Sequence, residues 1–293
     1  MQIYLVHDKY NWDSFSIVRS ACEILKERED IDYLDCKRHT VEEMQPGGYI
    51  WVFSSGFKMF QTEYEQIKAY GIKVITFGLS DPNFFNEERL KVCDLYCTND
   101  LNTYREYKDK YNLYHFQPGV NLKYFTKNGV VKEIDVLFIG TKSHPFIPYR
   151  KVYLDRLKDD MEGFKGYGDG FRMSARGQEL IDAYNRAHLN LDINTKYSSL
   201  SNSRILQAAA CGTPTLTLKR EDVLGMFKDG EEILTYEGGY SELKGEIIEA
   251  LRDKERLARI GENARKRVLI EHGMRHRINE FIKYLGEVNG SKD

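Results

Sequence analysis

Residues 201–204 read Ser-Asn-Ser-Arg, directly before the run ILQAAA and the stop Cys-Gly-Thr-Pro at 211–214. Two hydroxyls, an amide and a guanidinium placed there are suited to one kind of ligand, an anion. Ser201 or Asn202 is a suitable N-cap for a helix starting near Ser203, whose first amides have no partner inside the helix. Those N–H groups, the hydroxyls of Ser201 and Ser203, and the Arg204 charge together fit a phosphate or diphosphate. The plainer reading is an ordinary capped helix with Arg204 at the surface. A second cluster, FIGTKSH at 138–144, ends an apolar run in Gly140, Thr141 and Lys142. Gly140 permits close backbone approach, and Lys142 offers a point charge. The spacing is not that of a P-loop, and GYGDG at 166–170 lacks both the G-x-G-x-x-G spacing and the downstream acid of a dinucleotide fingerprint.

Groups that could move a proton lie nearer the start. His7 and Asp8 close the first apolar run, and Asp81 stands in the turn LSDP. Each has a plainer role: His7 as a core histidine, and Asp81 as a turn residue before Pro82. Asp13 reads as a helix cap. His144 and His188 read as structural. Asp30-Ile31-Asp32 has the D-x-D spacing of a metal site, but it opens a strand far from the anion cluster. The five cysteines, Cys22, Cys36, Cys93, Cys97 and Cys211, fit neither a disulfide framework nor a metal-ligand set. No metal is expected.

The elements that must carry these groups alternate. QIYLV (2–6), DIDYLDC (30–36), YIWVFSS (49–55), KVITFG (73–78), DLYCTN (94–99) and LYHFQPG (113–119) read as strands, with helical patterns at 16–27, 64–70 and 101–112 between them. Residues 121–133 are polar and aperiodic and read as an interdomain linker. The pattern then restarts with the strand IDVLFIG, a helix at 148–161, the strand–turn GFKGYGDGF, a helix at 175–187, and the strand HLNLDIN. The thin helix after Arg204 follows, ended by Gly212 and Pro214. Strand TLTL, a helix at 241–252 and a helical tail through Leu285 complete the chain. Alternation of this kind implies parallel sheets covered on both faces. Two successive α/β domains are expected, with a cleft between them.

The bulk numbers agree. A chain of 293 residues suits two domains, and 41% hydrophobic content supports cored ones. The formal net charge of −2 gives no global reason to expect nucleic-acid binding. Tyr, at 20 residues, supplies flat faces and hydroxyls suited to sugars and bases, although it also fits a plain compositional bias. The N-terminus lacks a basic n-region, and no apolar run reaches the length of a membrane span. A cytoplasmic protein is expected.

The second half resembles the nucleotide-sugar glycosyltransferases of the GT-B fold, in the group-1 superfamily, nearest its spore-maturation-protein-B-like (CgeB-like) branch. DVLFIGT, YGDGF, AYNRAHLNLDIN, SNSRILQAAACGTPTLT, DGEEILTY and EHGMRHRINEF carry the resemblance, in the family's order, over most of residues 134–285. LSDPNFF, CDLYCTND and QPGVNLKYF match more loosely. The resemblance implies two Rossmann-like domains facing a central cleft: an acceptor-binding domain at 1–125, a donor-binding domain at 134–270, and a final helix at 271–293 that crosses back to the first domain. It implies a nucleotide-sugar donor, most simply a UDP-sugar, as substrate with no cofactor. Gly140, Thr141, Lys142 and Gly168 would lie near the diphosphate, and Ser201, Asn202, Ser203 and Arg204 would close around diphosphate and ribose. Relatives often hold the ribose with a Glu where this chain has Gln207. The partner acid eight residues earlier falls at Ser199, so the two-glutamate motif is missing at both ends.

Sugar transfer needs a stabilised leaving group, an aligned acceptor and a base. Arg204 and Lys142 are the candidates for the first task. His7, Asp8 and Asp81 are the candidates for touching the acceptor. The expected activity is metal-independent transfer of a hexose, with retention by analogy of fold. The acceptor is open among a polysaccharide, a protein, a metabolite and a modified nucleic-acid base, and the oligomeric state is not readable. The competing readings are a non-catalytic nucleotide-sugar-binding module and, less well, a sugar-nucleotide epimerase, which would need several cleft acids.

Overall fold

The computed structural model describes residues 1–6, 17–35, 41–53, 59–78, 87–145, 147–171, 173–194 and 203–290. It divides into two units, residues 1–118 with 274–293 and residues 119–273. The expected boundaries at 125, 134 and 270 therefore shift.

The first unit is built on a parallel sheet of β1 (Gln2–Val6), β2 (Asp32–Asp35), β3 (Tyr49–Val52), β4 (Lys73–Gly78), β5 (Leu95–Thr98) and β6 (Leu113–His115), in the order β2-β1-β3-β4-β5-β6. Side chains alternate across it, as a two-residue period requires. Ile3, Leu5, Tyr49, Trp51, Ile75 and Phe77 face one way, into a core shared with Val18, Ala21, Cys22 and Leu25 of α1 (Ile17–Lys26). Tyr4, Ile50, Val52 and Val74 face the other way, onto Tyr64 and Ile67 of α2 (Gln61–Ala69). The short α3 (Glu87–Leu90) follows β4, and α4 (Leu101–Tyr107) follows β5. Asp100 caps α4 by accepting from the Thr103 amide at 2.9 Å.

The second unit repeats the plan. Its strands β7 (Ile134–Ile139), β8 (Phe164–Tyr167), β9 (Ala187–Asp192), β10 (Thr215–Leu218) and β11 (Leu234–Tyr236) lie in the order β11-β10-β9-β7-β8, all parallel. Helices α5 (Pro148–Asp160), α6 (Gln178–Arg186), α7 (Ser203–Ala210), α8 (Glu221–Leu224), α9 (Tyr240–Arg252) and α10 (Lys254–Glu271) connect and cover them. In both sheets the third strand of the unit lands on the far side of the first. The strand order therefore reverses between β1 and β3, and again between β7 and β9. Reversal leaves a crevice at the carboxyl ends of that strand pair, where open α/β sheets bind ligands.

The helical tail is two helices, divided close to residue 271, where the final helix was expected to start. His272 and Gly273 break it, and α11 (Met274–Gly290) follows. Met274, Ile278, Phe281, Ile282 and Leu285 of α11 belong to the core of the first unit. The Phe281 ring lies 5.2 Å from Trp51 and 5.4 Å from Phe77.

Helix α7 is thin because Ala208, Ala209 and Ala210 are buried with almost no side chain to accommodate. Gly212, at φ +74°, closes it, and the Thr213 amide donates to Ala208 O at 2.9 Å. Helix α10 packs on this stop so closely that a Cβ at Gly261 would lie 2.4 Å from Gly212 O. Replacing Gly261 by Ala gains helix propensity of about 1 kcal/mol. Overpacking against main chain costs about 1–3 kcal/mol. The expected net result is a lower urea midpoint at unchanged m-value.

Residues 121–133, expected as a linker, are part of the second unit and bonded into it. The Asn128 amide donates to Asn185 Oδ1 at 2.9 Å. Lys132 Nζ donates to Asn185 O, Ala187 O and Thr213 Oγ1, at the carboxyl end of α6. Burial, helped by Lys127, pushes this ammonium from the ordinary 10.5 down to about 8. Between those two values the unfolded chain holds a proton that the folded one has released, so stability rises with pH across that window. Below pH 8 the contribution is flat. Urea midpoints from pH 8 to about pH 9.5 should climb more steeply in the parent chain than in Lys132→Met.

Candidate functional site

Past the end of β7 the chain bends at Gly140 and again at Lys142. The Gly140 amide donates to Tyr167 O at 2.9 Å and the Lys142 amide to Asp169 O at 2.8 Å, both toward β8. Between these two amides, Thr141 turns its C=O the other way. There its carbonyl accepts from Arg150 Nη1 at 3.1 Å. Ile139 O, on the same side, accepts from Arg204 Nη1 at 3.1 Å.

Arg204 sits in the first turn of α7, and the polypeptide makes room for its guanidinium by omitting a side chain. A Cβ at Gly140 would fall 2.0 Å from Arg204 Nη1, and φ there is +146°. Gly140 is in turn pressed against the turn after β8: a Cβ at Gly168 would lie 2.5 Å from Gly140 O, with φ +117°. Thus Gly140, Thr141, Gly168 and Arg204 meet at the β7–β9 crevice.

Beneath them lies a buried charged layer. Asp192, at the end of β9, is 2% exposed and accepts from Thr217 Oγ1 at 3.1 Å. Arg220 Nη1 lies 3.8 Å and Arg204 Nη2 4.0 Å from its oxygens. Arg220 is also held by Asp222, through Nε at 3.1 Å and Nη2 at 3.3 Å. Arg150, from the first turn of α5, is 3% exposed. Its Nε donates to Ile193 O at 2.9 Å, and its guanidinium stands 5.9 Å over the Phe138 ring. Burial, then the charge of Arg204, lowers this guanidinium to about 10, so it stays charged at neutral pH. Among the described residues, the three guanidiniums of Arg150, Arg204 and Arg220 gather at the carboxylates of Asp192 and Asp222.

The other candidates fall elsewhere or apart. Lys142 does not present its charge to the crevice, because Nζ pairs with Asp155 of α5 and lies 5.6 Å over the Phe171 ring. Asp155 also takes Lys151 at 2.8 Å, and the two lysines hold its carboxyl below the usual range. Gln207 is half-buried, and its Oε1 accepts from the buried Tyr184 hydroxyl at 3.3 Å. Burial raises that hydroxyl far above the usual phenol range, so it stays a donor. Ser203 opens α7 and is half-buried. His7, Asp8, Asp81, Ser199, Ser201 and Asn202 lie outside the described residues. Asp30, of the D-x-D run, is bonded by Arg28.

Sequence reasoning missed Arg150, Asp192, Thr217 and Arg220. Asp192 left a signal: a carboxylate inside the otherwise apolar strand HLNLDIN needs a reason to be buried. Arg150 left none, since PYRKV reads as an ordinary helix start.

The paired parallel sheets define the GT-B fold, the class to which many glycosyltransferases belong. Anabaena HepE, solved in complex with UDP and glucose, superposes with a TM-score of 0.64 at 12% identity, covering 97% of this chain and 99% of that one. A glycosyltransferase from Rickettsia africae ESF-5 superposes with a TM-score of 0.66 at 10% identity, over 98% of each chain. The sucrose-phosphate synthase from Thermosynechococcus elongatus gives 0.57 at 12% identity, over 83% of this chain and 74% of that one. Residues 147–283 match the family model described as "Glycosyl transferase-like". That span contains Arg150, Asp192, Arg204 and Arg220. No curated protein sequence matches. Among the described residues no helix is long and apolar enough to cross a membrane.

Proposed function

We propose that the chain is a glycosyltransferase that takes a hexose from a nucleoside-diphosphate sugar and passes it to an acceptor hydroxyl. The observation that carries this reading is the Arg204 guanidinium at the β7–β9 crevice, set over the side-chain-free Gly140. A leaving diphosphate gains charge as the glycosidic bond breaks, and a cation and amides fixed in advance lower that barrier. Arg204 and the start of α7, including Ser203, are the stabilising groups, with Ser199, Ser201 and Asn202 assigned to the same diphosphate and ribose. The chain brings its own positive charge to the leaving group, which supports metal-independent transfer. UDP is the proposed nucleotide, because the similar HepE was solved with it. Retention of configuration rests on likeness of fold. His7, Asp8 and Asp81 are proposed to meet the acceptor, in the first unit. Placement in the spore-maturation-protein-B-like branch rests on the motif resemblance.

One observation favours a second reading, a nucleotide-sugar-binding module without turnover. The position where relatives use a carboxylate holds Gln207, whose carbonyl is already engaged by Tyr184. Incubation with UDP-, GDP- and dTDP-sugars separates the two. Release of free nucleoside diphosphate supports the enzyme. A thermal upshift without release supports the module, and no response to any sugar nucleotide overturns both.

A further inference from the structure

Arg150 is a buried cation without an ion pair among the described residues; its nitrogens are bonded to two carbonyls, Thr141 O and Ile193 O. Those carbonyls belong to the two chain segments that leave β7 and β9. One rigid, planar group thus ties together the two sides of the crevice. Its hydrogen-bond partners are neutral, and burying a guanidinium on neutral partners costs free energy that the charge of Asp192 offsets only in part. Packing over Phe138 does not require a charge, since a neutral donor could serve the same two carbonyls. Burial and the neighbouring Arg204 outweigh the charge of Asp192, so the site favours a further anion arriving nearby.

The geometry beside it says where. Gly140 and Lys142 spend their amides on β8, and Ile139 O and Thr141 O are taken by the two arginines. The Thr141 N–H, between two amides that face β8, has no acceptor among the described residues. An amide at a strand end, beside a guanidinium and above a second one, is a site for a phosphate oxygen.

We propose that Arg150 is a positioning residue for the diphosphate: by gripping the Thr141 carbonyl it fixes that segment with the Thr141 amide turned into the crevice, and its charge offsets part of the ligand's. Arg150 touches no ligand itself. This inference rests on the donor-binding reading above.

The test compares a nucleoside diphosphate with its uncharged nucleoside, by calorimetry on the full chain. The pairs are UDP with uridine, GDP with guanosine and dTDP with thymidine, and the tightest diphosphate is followed. Arg150→Met is expected to weaken the diphosphate at least tenfold and the nucleoside less than twofold. Arg150→Lys keeps the charge but not the two-carbonyl grip, and is expected to lose about threefold for the diphosphate alone. A purely structural arginine would weaken both probes equally, or neither, and either result overturns the proposal. Should Arg150→Met fail to fold, Arg150→Lys decides: a diphosphate-to-nucleoside affinity ratio unchanged from the parent chain overturns it, and a lowered ratio supports it. If the parent chain binds none of the three diphosphates, the donor-binding reading falls and this inference with it.

Discussion

Arg204→Ala is expected to lower the rate of nucleoside-diphosphate release from a sugar nucleotide by about 10²–10³-fold, the usual effect of removing one preorganised donor from a developing oxyanion. The side chain is anchored at one nitrogen by Ile139 O and faces Asp192 at 4.0 Å, so its position is set before any ligand arrives. Stability should change little, because the guanidinium is only partly buried and the surrounding core contacts are made by Ile205 and Leu206. Two further measurements make the result specific. Affinity for the diphosphate should fall by a larger factor than affinity for the nucleoside. Arg204→Lys should recover part of the rate but not all, since an ammonium cannot bridge two acceptors in a plane. A variant with parent-like turnover and affinity would remove Arg204 from the leaving-group role.

Gly168→Ala is expected to destabilise the second unit by about 2–4 kcal/mol, from backbone strain and overpacking together. The new methyl would meet the Gly140 carbonyl oxygen at 2.5 Å. That oxygen cannot retreat easily, since the Gly140 amide is pinned to Tyr167 O. Gly140→Ala makes a useful contrast. Its methyl meets the tip of Arg204, a long side chain that can swing aside. Only the φ of +146° then opposes folding, so the stability loss should be smaller while the Arg204 contact is lost. Denaturant midpoints and diphosphate affinity, measured on both variants, give opposite rankings if this account holds. Gly168→Ala should lead in lost stability, and Gly140→Ala in lost binding per unit of stability lost.

Much of the scaffold was legible because its signals are local. Parallel strands buried on both faces are short apolar runs, and QIYLV, KVITFG, IDVLFIG and TLTL all correspond to strands. The Ala-rich helix and its Gly212 stop were legible for the same reason: the chemistry of the stop is carried by the residues that make it. The brief strand Leu234–Tyr236 escaped notice because only tertiary neighbours specify it. The site divides in the same way. Gly140, Thr141 and Arg204 could be named from strand-end and helix-start chemistry. Lys142 could be named too, but not its capture by Asp155, thirteen residues on and one helix turn away from Lys151. The layer of Arg150, Asp192 and Arg220 is assembled from three distant segments, and no local pattern announces which buried charges will meet.

The placement of α11 fixes the order in which the protein can be completed. Residues 119–273 form an uninterrupted stretch of chain, whereas the first unit must wait for residues 274 onward, whose Phe281 sits among Trp51, Phe77 and Phe116. On the ribosome, the strands within residues 2–115 are therefore sealed only after those within 134–236 have been made, and their aromatic face stays uncovered until residues 274–285 follow. A chain stopped at Gly273 would leave that face bare and prone to aggregate, while the later-made half could already be closed.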